Sequence, residues 1–569
     1  MKKITLSRKE FLKLTGVATA GAVVGACAPA AVPAAAVEVP AATSAPAATS
    51  APAATSVPEA TAVPPTAVPE PVAIRLTIPA DPGVVDPTAN WVYEVADSQW
   101  VTLVKYDYVK NEVLPAGAVS WSVSADNLIW TFNIRKDWKW SDGQPVTAKD
   151  YEYSFQEIVN PATACPASWR LSIIKNADDV NKGDKPVSDL GVKAVDDYTL
   201  TIELTNPAAW FLSSLSSIGH AVPRLTREKF GADWTKPENV VVNGPYKVTE
   251  WIIDSEVTLS KNPSYYDAAT VQIDKVILYV VTSESTAMAM YENGEIDTVM
   301  VPTTDIDRVR QVNSLKDQFA SAPMMRVNFY RFYVLKPPFD DLLVRKAFAA
   351  AVDRDTLISQ VTRGNEVPAY TMTPPGCVGH VPRSDGVGIP FDPKVAVQYL
   401  TDAGYPGGKG LPALVLGYNA SETNARVAQA IQKMWKDYLG VEVTLKAHEG
   451  AGYMAAVQSG AMNIVRAGWG MDYPDANNTY GELFASQVSD KGILELPELD
   501  ELIAEAAVES DLGKRKTLYK QIETMFIQDN AGVIPLYWAA TNTVTKPFLN
   551  RPNDPNFLME FRTWTVNNN

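Results

Sequence analysis

Side chains able to carry out chemistry are few and scattered in this chain. Its three histidines, His220, His380 and His448, lie far apart, and none has a second His or Cys at the spacing a catalytic zinc needs. No Gly-x-Ser-x-Gly elbow occurs. Ser172-Ile173-Ile174-Lys175 matches Ser-x-x-Lys, but the companion Lys-Thr-Gly is missing, because Lys516-Thr517 is followed by Leu518. The run Gly404-Tyr405-Pro406-Gly407-Gly408-Lys409-Gly410 lacks the Ser or Thr of a phosphate loop, and Pro406 removes a donor amide, so it reads as a helix stop and a turn. No nucleophile–base pair, metal set or cofactor motif emerges. The expectation is therefore a binding protein without a cofactor, not an enzyme.

Covalent modification is expected at one residue, Cys27. It follows the basic stretch Ser7-Arg8-Lys9-Glu10-Phe11-Leu12-Lys13 and an apolar, small-residue run from Leu14 to Ala26. That run is shorter than the roughly 20 residues that span a bilayer as a helix. It reads as an export signal over 1–26. Val24-Gly25-Ala26-Cys27 resembles a lipobox, which implies lipid attachment at Cys27 and an anchor outside the cytoplasmic membrane, in a periplasm or on the outer surface. The start also resembles a twin-arginine signal, with Lys9 in place of the second arginine, so the sequence leaves the export route open. Residues 27–71, rich in Ala, Pro, Thr and Ser, lack the bulk to pack and read as a tether.

The remaining residues outnumber what one core usually supports, so two or three domains are expected. A net charge of −15 disfavours nucleic acid as a partner. Cys165 and Cys377 fall in segments assigned below to different domains, which favours two free thiols over a disulfide, although sequence does not decide it.

The elements that must position any site are legible from their periodicity. Leu128–Ile134 and Tyr198–Leu204 alternate as strands, with Trp130, Phe132 and Ile134 on one face of the first and Leu200, Ile202 and Leu204 on one face of the second. Asp340 or Asp341 caps a helix with the stripe Leu343, Ala347, Phe348, Ala351 and Val352. Asp392-Pro393 starts another, with Ala396, Tyr399, Leu400 and Ala403 inward and Gly404 as the stop. Val427, Ile431, Met434, Trp435 and Tyr438 form a third stripe, ended by Gly440 and followed by the alternating Val441, Val443 and Leu445. Helix, glycine and strand in that order are what a crossover in an α/β sheet requires.

Six blocks in order then resemble a known family. They are Trp138-Lys139-Trp140-Ser141-Asp142-Gly143, Asn243-Gly244-Pro245-Tyr246, Lys261-Asn262-Pro263-Ser264-Tyr265-Tyr266, Pro338–Ala347 with Ala351-Val352-Asp353-Arg354, Ala403-Gly404-Tyr405-Pro406, and Val533-Ile534-Pro535-Leu536-Tyr537-Trp538. Together they resemble the extracellular solute-binding proteins of family 5, which feed ABC importers. Arg466-Ala467-Gly468-Trp469-Gly470-Met471-Asp472-Tyr473 and Pro368-Ala369-Tyr370-Thr371-Met372-Thr373-Pro374-Pro375 resemble segments of its oligopeptide-binding branch. The resemblance implies that Asp472 pairs with a peptide's ammonium and Arg466 with the carboxylate of a short peptide. Trp469 and Tyr473 would form cleft walls between them. Such roles suit the chemistry: a peptide's invariant features are its charged ends and its backbone, which charge-assisted hydrogen bonds and strand-like pairing can hold without reading sequence.

The chain departs from that branch in three places. Glu449 is followed by Gly450 where a tryptophan is common, Asn424 stands where a histidine can occur, and Ala167 replaces a tyrosine. These leave peptide length and side-chain preference open, and leave room for an oligosaccharide or a metal chelate on the same fold. A surface interaction protein or chaperone for unfolded segments is the alternative of another class.

The fold the resemblance implies is α/β, a two-lobed type II periplasmic-binding-protein (Venus-flytrap) fold with an additional domain. Lobe I is expected over 72–117, 232–325 and 540–569, the extra domain over 118–231, and lobe II over 326–539. The expected partners are a peptide ligand, an ABC permease with its ATPases and the membrane through the lipid, the protein acting as a monomer.

Overall fold

A computed structural model describes residues 71–89, 94–108, 110–486, 494–552 and 559–567. The export signal, Cys27 and nearly all of the tether lie outside the described residues.

Three sheets carry the body. The first has the order Ala73–Ile78, Lys275–Val280, Glu256–Lys261 and Tyr246–Ile252. Its first two strands run parallel although nearly 200 residues separate them, with Ala73 opposite Lys275. The second sheet is antiparallel: Ala118–Val123, Ile129–Ile134, Thr199–Glu203 and Val192–Asp196. Both strands expected there from alternation are present, and Phe132, Ile134, Leu200, Ile202 and Leu204 are buried. The third sheet has seven strands. Thr298–Met300, Val533–Thr545, Phe319–Phe332, Ile464–Gly470, Leu414–Asn419 and Val443–His448 lie side by side, and Val367–Pro368 pairs with the long Val533–Thr545.

The crossover read from sequence is realised here. Leu414–Asn419 and Val443–His448 are parallel, joined by the helix Glu422–Leu439, and Gly440 takes the left-handed conformation that ends it. Asp341 caps the helix Leu342–Ala350 through the Leu343 N–H, and Asp392 caps Pro393–Asp402 through the N–H groups of Lys394 and Val395. Gly404 and the glycines that follow it form the expected stop and turn.

The shared sequence blocks pack on one another. Trp138 is buried and its indole donates to the Asn243 carbonyl at 2.9 Å, while its ring meets Tyr266 edge-on. Asn262 donates to the Gly244 carbonyl at 2.8 Å. A Cβ at Gly244 would fall 2.7 Å from the backbone of Gln99, so glycine is required by the close approach. Arg354, also buried, donates to the Pro535 carbonyl at 2.7 Å. These blocks are joints of the scaffold. Cys165 and Cys377 are both free thiols and both buried.

Phe319–Phe332 and Val533–Thr545 are the longest strands and pair along most of their length. The register breaks twice near the middle: Asn328 faces Tyr537 but Phe329 faces Pro535, and, more widely, Pro323 faces Ala540 but Val327 faces Trp538. Four steps on one strand then match two on the other, a bulge that bends the ladder locally.

Just beyond the Arg466 strand, Asp475 accepts two hydrogen bonds from Arg515, at 2.6 and 2.9 Å, with both side chains almost fully buried. This pair ties that loop to the helix Leu512–Glu523. Arg515→Met would leave a buried carboxylate uncompensated and should cost about 3–5 kcal/mol in urea denaturation. A loss below about 1 kcal/mol would mean the pair contributes no more than a surface ion pair.

Candidate functional site

A cavity of about 560 Å³ lies between the first sheet and the seven-stranded one. Leu76 and Thr77 line it from one side, and Arg326, Asn328, Arg466 and Tyr537 from the other. Arg466 belongs to the strand Ile464–Gly470, which runs antiparallel to Phe319–Phe332, with Arg466 opposite Tyr330 and Gly470 opposite Arg326. Alternate residues of a strand share a face. Arg466, Gly468 and Gly470 therefore fall on one face, while Ala467 and Trp469 pack on the apolar cluster of the other.

Arg466 is held by amides. Its Nη1 donates to Asn419 Oδ1 at 3.1 Å and its Nη2 to Asn328 Oδ1. Asn424, from the first turn of the helix Glu422–Leu439, donates to the Asn419 carbonyl at 2.9 Å and to its Oδ1 at 3.2 Å. The guanidinium is thus oriented without being neutralised. It makes no ion pair among the described residues, which leaves it able to receive an anion.

Two residues past the end of that strand, Asp472 is half-buried in a different setting, and Asn478 is the hub. The Asn478 Oδ1 accepts from the Asp472 N–H at 3.1 Å and from the Trp469 indole at 2.9 Å. Its Nδ2 donates to Asp472 Oδ2 at 3.2 Å and to Glu482 Oε2 at 2.6 Å. Arg170, reaching in from the region of the second sheet, donates to the Ser217 hydroxyl at 2.7 Å. Burial works against its charge, but Asp472 and then Glu482 outweigh that and raise its hold on the proton. Tyr473 is fully buried, stacks on Trp210 with ring centroids 5.5 Å apart, and donates to Glu482 Oε1 at 2.6 Å.

Of the residues expected from sequence, Arg466 lines the cavity, while Asp472, Trp469 and Tyr473 gather in the network around Asn478 and Glu482 beyond it. Arg326, Asn328, Asn419, Arg170, Asn478 and Glu482 were not anticipated. Arg326-Val327-Asn328-Phe329 does alternate polar and apolar, a period-two signal that marks a strand with one wet face. Nothing local marks Arg170 or Glu482, whose roles exist because distant segments meet.

The chain is similar to known proteins in sequence and in fold. A family model described as bacterial extracellular solute-binding proteins, family 5 Middle, matches residues 112–491. The periplasmic oligopeptide-binding protein OppA of Escherichia coli is 33% identical over 443 residues, covering 76% of this chain and 81% of that protein. A probable deoxycholate-binding periplasmic protein of the same organism, YgiS, is 33% identical over 83% of this chain and 88% of its own length. The solved structure of the E. coli murein tripeptide binding protein MppA superposes with a TM-score of 0.79 at 30% identity, covering 88% of this chain and 99% of that one. The fold is the two-lobed α/β binding-protein fold.

Burial, with Asp472 adding and Arg170 opposing, pushes the Glu482 carboxyl up to about 8, against an ordinary 4.5. The folded state then binds this proton more tightly than the unfolded chain. The resulting stabilisation is complete below about pH 4.5 and is lost as the pH rises through about 8. Melting curves from pH 6 to 9 should show Glu482→Gln gaining at least about 1 kcal/mol on the wild type at the alkaline end. Parallel curves would show that Glu482 is ionised throughout.

Proposed function

The chain belongs to the bacterial extracellular solute-binding proteins of family 5, and we propose that it is the peptide-capturing component of an ABC importer, tethered by a lipid on Cys27. The carrying observation is the un-neutralised Arg466 guanidinium on the cavity wall, with Asp472 six residues away along the same stretch of chain. At roughly 3.3 Å per residue, their Cα atoms lie up to about 20 Å apart. Allowing for the reach of the two side chains, that suits an extended peptide of roughly three to five residues. Gly468 and Gly470 add no side chains of their own between the anchors, which leaves room there for the Arg326 and Arg466 guanidiniums that a ligand would meet.

In this reading Arg466 takes the peptide carboxylate and Asp472 its ammonium, with Trp469, on the opposite face of the strand, bracing it through Asn478, and Tyr473 supporting Asp472 from behind. Arg170 carries positive charge towards Asp472 from the other side of the network. The lobes are 72–117 with 232–325 and 540–569 on one side and 326–539 on the other, with an extra domain at 118–231. The bulge between Pro323 and Val327 supports a hinge there, because both inter-lobe boundaries cross these paired strands. Ligand then favours the closed form by differential affinity, and the permease with its ATPases receives the closed, loaded monomer.

A second reading is favoured by the relative named for deoxycholate: a carboxylate amphiphile, whose acid would sit on Arg466 and whose body on the apolar wall. Native mass spectrometry of the protein as purified separates the two. A ladder of short peptide masses supports the first, and a single sterol-acid mass the second. Asp472→Asn should weaken binding of free-amine peptides by at least about tenfold in calorimetric titration while barely changing that of N-acetylated ones. Equal loss for both would remove the ammonium-anchor role.

A further inference from the structure

Arg326 is the unexplained group of the cavity. It comes from the strand Phe319–Phe332 and lines the same space as Arg466. An added Cβ at Gly468 would lie 3.0 Å from Arg326 Nη2, 3.2 Å from Arg466 Nη2 and 3.3 Å from Asn328 Oδ1, so both guanidiniums crowd one point above that glycine. At Gly470 the same construction meets Arg326 Nη1 at 3.4 Å. Arg326 therefore lies over the glycine floor, displaced from Arg466 towards Asp472.

Among the described residues Arg326 has no hydrogen-bonded or ion-paired carboxylate. Glu366, which shares the cavity, is engaged by the Thr362 hydroxyl at 2.8 Å and the Gly364 amide at 2.9 Å. Glu284 also lines the space and pairs with neither guanidinium. Burial, and after it the Arg466 charge, bring Arg326 down to about 10, the mark of a cation held beside another cation away from water. Two half-buried like charges side by side repel each other unless an anion joins them.

We propose that Arg326 and Arg466 form a dicarboxylate subsite, which selects peptides carrying a second carboxylate, from Asp or Glu, within their last two residues. This rests on the peptide reading above. The α-carboxylate takes Arg466, and the side-chain carboxylate, displaced along the peptide towards its amino end, takes Arg326. The preference is local: a protein with net charge −15 repels acidic peptides at long range, so its overall field cannot produce it.

The test is calorimetric titration of the purified, ligand-stripped protein with three probes: tetraalanine, Ala-Ala-Ala-Glu and Ala-Ala-Glu-Ala. At least one acidic probe should bind about tenfold or more tighter than tetraalanine, and the ratio should fall to near one in Arg326→Gln. Acidic probes that bind no better than tetraalanine to the wild-type protein overturn the subsite, a result that needs no variant to fold. A ratio that persists in Arg326→Gln also overturns it. Binding of none of the three removes the peptide reading and this inference together, and is thereby distinguished from loss of the acidic preference alone.

Discussion

The pairing of Phe319–Phe332 with Val533–Thr545 is the constraint on which the rest depends. These strands are neighbours inside the seven-stranded sheet, and every other strand of that sheet pairs with one of them or reaches them through the Arg466 strand. They also carry Arg326, Asn328 and Tyr537 to the cavity wall. Backbone ladders fix the spacing of side chains to within one pleat. Slipping Phe319–Phe332 by one residue would turn Arg326 and Asn328 into the apolar cluster and bring Val327 and Phe329 to the cavity. Burial of Val327 and Phe329 is thus what aims the polar residues at the ligand space.

Along the Arg466–Asp472 stretch, opposite charges are stabilised in different ways. At one end the Arg466 guanidinium is gripped by neutral amide oxygens, which hold its orientation while leaving the charge unspent. At the other, Asp472 is embedded with Arg170, Glu482 and Asn478, where one hub amide binds both carboxylates and the Trp469 indole. The first arrangement is ready to receive an anion. The second keeps a carboxylate fixed in place through its neighbours, at the cost of crowding Glu482 and raising its proton affinity.

Scaffold and site are built from different residue classes. The most recognisable blocks fasten loops to sheet edges: the buried Trp138 indole, Asn262 amide and Arg354 guanidinium donate to backbone carbonyls, and the Asn243 Oδ1 accepts from the Val101 N–H. Such donors must be satisfied once buried, which makes these positions demanding in geometry without any contact with ligand. The ion pair of Asp475 with Arg515 does the same for the loop beyond Asp472, fastening its far side.

Sequence determined the elements and their order, because periodicity and capping are local. The caps at Asp341 and Asp392, the stop at Gly440, and the strands around Phe132 and Leu200 follow from neighbours within one or two turns of chain. Resemblance brought out Arg466, Asp472, Trp469 and Tyr473, because they form one short segment. It could not bring out Arg326 and Asn328, some 140 residues from Arg466, or Arg170, some 300 residues from Asp472. A charge acts over a few ångströms, and only the folded chain decides which distant residues come that close. The tertiary structure alone decided that Arg466 has an amide cage, a glycine floor and a second guanidinium beside it.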